Sequence, residues 1–196
     1  MNRNILLVTG VSASGKDYLL EQAKRQDERI GTSVPIVSMV SAIVAKMRQQ
    51  QAEESNLDRD RIKHITSNDV MRGIVKGIVA ELVKYPAAIV NGHIAYRQQG
   101  QLVSNPDVDA EISPTAYAVV VAEPRDIAAW RGLDTGRVRE TETIDQIAYH
   151  QDFTVQAAER AAATLGAGFQ LIENNPENTL TSSLILATMV TEICPK

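Results

Sequence analysis

At 196 residues, 44% of them hydrophobic and 22% charged, the chain is long enough to bury a substantial core as one domain, 1–196, without disulfide or metal staples. A net charge of −4 excludes a general nucleic-acid binder, so any phosphate must be met by local cations. The single Cys194 excludes an internal disulfide, and no apolar run reaches membrane-spanning length, so a soluble, cytoplasmic protein with no nucleic-acid or membrane partner is expected.

Met1-Asn2-Arg3-Asn4 leads straight into the apolar run Ile5-Leu6-Leu7-Val8, which predicts a strand over about residues 4–9 in place of a signal peptide. A helix is expected from Lys16 to about Asp27, with Leu19, Leu20 and Ala23 inward. Val34-Pro35-Ile36-Val37-Ser38 reads as a short second strand, feeding a helix at about 41–51 with Ile43, Val44 and Met47 on one face. Glu53 to Asp60 reads as loop, and a short helix holds Ile62 and Ile65. Thr66-Ser67-Asn68-Asp69 has capping-box spacing, with Asp in place of the preferred Glu, and opens the clearest helix. There Val70, Ile74, Ile78 and Leu82 form one ridge and Met71, Val75, Val79 and Val83 its neighbour, until Pro86 ends the helix. Ala87-Ala88-Ile89-Val90 predicts a strand buried on both faces.

Residues 98–116, with Gly100, Pro106 and Pro114, are expected to be loop with little regular structure. Tyr117 to Ala122 reads as a buried strand, and Glu123-Pro124-Arg125-Asp126 starts a short helix. Gly132 to Arg139 is polar and glycine-punctuated. A long helix at about 141–164, a fifth strand at Phe169 to Ile172 and a last helix at about 177–192 complete the chain, with Trp130 and Phe153 as core residues. Strands alternating with helices predict an α/β fold with a mostly parallel five-stranded sheet in three α/β/α layers.

Between the first strand and its helix lies Gly10-Val11-Ser12-Ala13-Ser14-Gly15-Lys16-Asp17. Strand, glycine-bounded loop, lysine and helix is the order of a P-loop, whose amides cradle a nucleotide's phosphates. Lys16 brings a cation to the β/γ oxygens, and the helix points its positive end at the same place. The usual hydroxyl after the lysine is replaced by Asp17, which supplies a carboxylate.

Ligands in such a sheet sit beyond the carboxyl ends of the strands. Three segments there are rich in chemistry: Asn91-Gly92-His93 with Arg97, the stretch from Arg131 to Arg139, and Asn174-Asn175-Pro176. Arg137, Arg139 and Arg131 could close over a transferring phosphoryl group. The same loop also reads as a solvated charged segment, given Glu140, Glu142 and Asp145. Arg97 could bind an acceptor phosphate or pair with a surface acid. His93 reads as a positioning residue or a satisfied structural histidine. His64 and His150 lack partners at metal-ligand spacing, and Ser12 and Ser14 have no pattern of nucleophilic catalysis around them.

The segment Val119-Val120-Val121-Ala122-Glu123-Pro124, then Asp134-Thr135-Gly136-Arg137-Val138-Arg139, Glu140-Thr141-Glu142, His150-Gln151, Ala157 to Ala163 and Gly166-Ala167-Gly168-Phe169, resembles the archaeal-type adenylate kinases, a branch of the nucleoside monophosphate kinases. Arg59-Asp60-Arg61-Ile62-Lys63, Asn91-Gly92-His93 with Arg97, and Ile172-Glu173-Asn174-Asn175 are similar to further stretches of that family in the same order. The resemblance implies a P-loop kinase with ATP held by Gly10 to Asp17, and with an acceptor-binding segment at about 55–116. Lys63 and Arg97, with Asn91 and His93 beside them, would hold a nucleoside monophosphate. Arg137 and Arg139 would act from a mobile lid at about 131–141, with Arg131 shifted by one place, and backbone near Asn174 would border the ATP base. A homo-oligomer, a trimer by family analogy, is a further expectation.

Three departures stand out: Asp17 for a hydroxyl, Asn91 for an aspartate, and Lys63 for an arginine. The first two imply a relocated carboxylate, with Asp17 as the anionic ligand of Mg²⁺ and Asn91 a neutral one. The third loses bidentate phosphate geometry and leaves the acceptor open. Three functions are therefore weighed. One is transfer from ATP to AMP or a related (deoxy)nucleotide. The second is a kinase of a non-nucleotide phosphorylated metabolite, and the third a nucleotide-binding regulatory protein with little transferase activity.

Overall fold

The computed structural model describes residues 3–39, 68–98, 100–104, 106–133 and 142–194. β1 (Asn4–Thr9) is buried along nearly its whole length, with Ile5, Leu6, Leu7 and Val8 at most 2% exposed. It pairs in parallel with β3 (Ala87–Asn91) on one side and β6 (Ala116–Val121) on the other. β2 (Ile36–Ser38) and β7 (Gly168–Glu173) are the edges, giving the order β2-β3-β1-β6-β7 with every pairing parallel.

The alternation of side chains along these strands builds the layers. Ile5, Leu7, Ala88, Val90, Tyr117 and Val119 face one way, onto α2 (Asn68–Leu82), α3 (Pro106–Ile112) and α5 (Ile144–Leu165). Leu6, Val8, Ile89, Ala118 and Val120 face the other way, onto α1 (Lys16–Gln26) and α6 (Thr179–Ile193). Each large side chain so buried contributes roughly 1.5–3 kcal/mol, which is why uninterrupted apolar runs become the central strands. A smaller cluster of Val11, Ala122, Ile127 and Ile147 pins the start of the phosphate loop to α4 (Pro124–Leu133) and α5.

The five expected strands and the α/β class stand, and Leu19, Leu20 and Ala23 point inward as the spacing requires. Two expectations do not stand. Residues 98–116 are not irregular: β4 (Ala95–Gln98) and β5 (Gln101–Ser104) form an antiparallel hairpin, and α3 follows. Gly100, at φ +80°, supplies the left-handed residue of the tight turn. Val83 is not inward either. It lies past the end of α2, one residue beyond Leu82, and is 63% exposed while Val75, Ile78 and Leu82 are buried. The expected helices at 41–51 and around Ile62, and the capping Thr66, lie outside the described residues.

Candidate active site

β1 ends at Thr9, and the chain turns over Gly10 to Gly15 into α1. Gly15 stands at the N-cap of α1 with φ +84°, and Ala13 shares the left-handed region at φ +68°. A Cβ at Gly15 would stand 2.0 Å from Asn174 Nδ2. That amide is held in place, since Asn174 is 5% exposed and Nδ2 donates to Ser14 O at 2.9 Å. Glycine is required at residue 15 on both counts. Asn174 follows β7, and its backbone N–H donates to Val121 O at 2.7 Å, so the end of the sheet braces the underside of the loop. The described contact of Asn174 is thus with the loop backbone.

Lys16 opens α1 and is only 8% exposed. Its Nζ lies 3.5 Å from His93 Nε2, while His93 Nδ1 lies 2.7 Å from Gly10 O. A carbonyl oxygen can only accept, so Nδ1 carries the proton and Nε2 presents its lone pair to the ammonium. His93 therefore joins the first residue of the loop to the lysine at its far end. Alongside, Asn91 at the end of β3 donates from Nδ2 to Asp17 Oδ1 at 2.6 Å. The other amide atom, Asn91 Oδ1, is buried and has no hydrogen-bond partner among the described residues.

The arginines form the second half of the site. Arg131, in the last turn of α4, donates from Nε and Nη2 to Ser12 O at 3.1 and 3.0 Å. Its Nη1 donates to Glu142 Oε2 at 2.6 Å. Arg97, on β4, donates from Nε to Glu142 Oε1 at 2.7 Å and from Nη1 to Gly100 O at 3.1 Å. Glu142 is thus one carboxylate shared by two guanidinium groups, with its side chain 9% exposed. Burial pushes its carboxyl up, but His150, Arg97 and Arg131 outweigh burial and hold it at about 2. His150 Nδ1 stands 3.5 Å from Glu142 Oε1, close enough to act on the carboxylate electrostatically though not aligned as a hydrogen bond, and among the described residues neither ring nitrogen of this buried histidine has a hydrogen-bond partner.

Lys16, Asp17, Asn91 and His93 therefore lie together at the loop, and Arg97 and Arg131 meet beside Ser12. Arg97 pairs with a buried acid, where its sequence left a surface acid or a phosphate open. Lys63, Arg137 and Arg139 lie outside the described residues. Two residues of the site were not singled out from sequence. One is Glu142. The other is Gln151, whose Oε1 accepts from Ala122 N at 3.0 Å while Nε2 donates to Ala122 O at 3.1 Å, clamping the end of β6 to α5. A signal existed for the first: Thr143 and Gln146 form a full capping box that fixes Glu142 just outside the helix. No group of three or more His, Cys, Asp or Glu suited to a metal ion occurs among the described residues, and among them no helix is long and apolar enough to cross a membrane.

The chain is similar to proteins named adenylate kinase. That of Thermoplasma acidophilum is 24% identical over 170 residues, 86% of this chain and 88% of the relative. That of Thermococcus onnurineus is 25% identical over 180 residues, 90% and 89%, and that of Methanococcus aeolicus 26% over 179 residues, 89% and 91%. In fold it is similar to a gluconokinase from Sinorhizobium meliloti 1021, with a TM-score of 0.52, 12% identity and coverage of 97% of this chain and 96% of the other. A shikimate kinase from Bacteroides thetaiotaomicron gives a TM-score of 0.50 at 12% identity, covering 95% and 97%. The family model described as AAA domain matches residues 9–148, which takes in the phosphate loop, the hairpin bearing Arg97, and both Arg131 and Glu142. The chain belongs to the AAA domain family, with the fold of a P-loop kinase.

Proposed function

We propose that this protein is a nucleoside monophosphate kinase, moving the γ-phosphoryl group of ATP to AMP or a related (deoxy)nucleoside monophosphate. One observation carries the reading. A guanidinium from the hairpin after β3 and another from the helix after β6 meet at one carboxylate, directly beside the phosphate loop. Cations are thereby aimed at the junction between a donor phosphate and an incoming anion. The relatives named adenylate kinase, matched over most of both chains, support the choice of acceptor.

In this reading Gly10 to Asp17 hold the ATP phosphates, with Lys16 on the β/γ oxygens. Arg97, with Lys63, takes the acceptor phosphate, while Asn91 and His93 support the loop from the acceptor side. Arg131, Arg137 and Arg139 stabilise the transferring group, and Asn174 holds the ATP side of the loop in shape. The acceptor phosphate is already an anionic nucleophile, so the chain needs no general base. Its work is alignment, charge neutralisation and exclusion of water.

Mg²⁺ fits the residues present. Asp17 offers an anionic oxygen and Asn91 Oδ1 a buried oxygen with no other partner among the described residues, both hard donors of the kind this cation takes. These two would hold it, and it would neutralise charge on the β- and γ-phosphates. Asp17→Asn leaves an oxygen for the Asn91 amide but removes the negative charge. The Mg²⁺ concentration for half-maximal turnover is expected to rise about tenfold, and calorimetry should show ATP affinity losing its Mg²⁺ dependence. Wild-type behaviour on both counts would exclude Asp17 as a ligand.

The function itself is tested by coupled assays with ATP over a panel of nucleoside monophosphates and small phosphorylated metabolites. Turnover with AMP or a related monophosphate is expected. Turnover only with a non-nucleotide acceptor would move the assignment to a metabolite kinase. Tight ATP binding without transfer to any acceptor would make the chain a nucleotide-binding regulator.

A further inference from the structure

We propose that Glu142 is a positioning residue of this kinase, aiming Arg97 and Arg131 together so that the acceptor cation and the donor-side cation stand in fixed register. The inference rests on the reading of Arg97 as a ligand of the acceptor phosphate.

A buried ion network is a poor means of stabilisation, because desolvation of each charge consumes most of the Coulombic gain. Glu142 is 9% exposed, and Arg97 and Arg131 are 19% and 11% exposed in their side chains. Apolar residues would fill that volume at least as stably. The network lies at the mouth of the phosphate loop, where orientation matters more than stability.

Each oxygen of Glu142 serves a different arginine, Oε1 that of Arg97 and Oε2 that of Arg131. A continuous chain of hydrogen bonds therefore runs from Ser12 O through Arg131, Glu142 and Arg97 to Gly100 O, from the donor loop to the tip of the acceptor hairpin. Among the described residues these contacts engage three N–H groups of Arg131 and two of Arg97. A guanidinium has five such donors. Both side chains are oriented and keep donors for phosphate oxygens.

The carboxylate is itself held from behind. Glu142 directly precedes Thr143, the N-cap of α5, whose side chain accepts from Gln146 N and whose backbone N–H donates to Gln146 Oε1. Further along the same helix, Gln151 grips both backbone groups of Ala122 at the end of β6. The helix start is thus fixed to the sheet, and a misplacement of about 1 Å at a reacting centre can cost about 100-fold in rate.

Glu142→Asp tests this, because it keeps the charge but withdraws it by about 1.5 Å, one carbon–carbon bond. It cannot then reach both guanidiniums. With AMP as acceptor, kcat/KM is expected to fall about 10- to 100-fold, mainly in kcat and in the KM for AMP, with the fold intact in thermal melts. In an Arg97→Lys background the same change should cost several-fold less than in wild type, since the share of its effect that passes through Arg97 is already lost and only that through Arg131 remains. An equal loss in both backgrounds, or no loss, would overturn the inference. A second measurement needs no acceptor: the Nε–H resonance of Arg97, which donates to Glu142, should be slow to exchange with water in the unliganded wild type and fast in Glu142→Asp. Equal protection in both proteins would also overturn it. If wild type transfers phosphate to no monophosphate, the acceptor assignment falls by itself, and the resonance alone decides the role of Glu142.

Discussion

Replacing Lys16 with methionine is expected to lower kcat about 10³-fold, while the melting temperature changes little. Methionine keeps most of the apolar stem that lets this residue sit 8% exposed at the head of α1. What it removes is the ammonium that His93 Nε2 faces at 3.5 Å. That histidine is itself tied to Gly10 O, so the ammonium has a fixed direction; under the proposed function it meets the β/γ-bridging charge with little reorganisation during transfer. Rapid-quench measurements of a single turnover, with ATP affinity measured separately by calorimetry, separate loss of binding from loss of chemistry. A kcat within twofold of wild type would mean that the loop does not serve phosphoryl transfer. A companion His93→Ala substitution should fall between the two, because the ammonium remains but loses its fixed direction.

The parts of this fold that could be read from sequence are those where one physical term dominates. Ile5 to Val8, Ala87 to Val90 and Tyr117 to Val120 have apolar side chains on both faces, and only a central parallel strand buries both faces. The phosphate loop was equally legible, because Gly15 at φ +84° against Asn174 admits no other residue. The apolar content of the β4–β5 hairpin is diluted by Arg97, Gln98 and Gln101, so its sequence lacks the alternation that marks a strand; in the fold Arg97 turns to Glu142 and Gln101 to solvent. Asn105-Pro106-Asp107 carries a helix-start signal for α3, a capping residue type followed by proline and an acid, but proline at a first helical position looks the same in sequence as proline in a loop. Glu142 was hidden for a different reason. Arg97 precedes it by 45 residues and Arg131 by 11, and pairing over such separations is set by how β4 and α4 reach α5, not by local pattern.

Asp109→Asn is expected to stabilise the protein, and increasingly so as pH rises. Asp109 lies on α3, is 5% exposed, and sits with Val108 and Ile112 on the face that packs into the core beside Tyr117. Burial pushes its carboxyl from 3.8 up to about 7, and its charge in turn joins burial in pushing the Tyr117 phenol upward. With the folded value raised, the folded state keeps a proton that the unfolded chain releases between about pH 4 and 7, so stability falls across that window and is level above it. At 1.36 kcal/mol per tenfold change, the advantage of asparagine grows from about 1.5 kcal/mol at pH 5 to about 4 kcal/mol at pH 8. In a chain of this size that corresponds to roughly 10 °C in melting temperature at the higher pH. Denaturation of the two proteins at pH 5, 6.5 and 8 measures it directly. A difference that stays constant with pH would show that the substitution acts through packing alone, whereas a widening gap assigns the loss to the proton on Asp109.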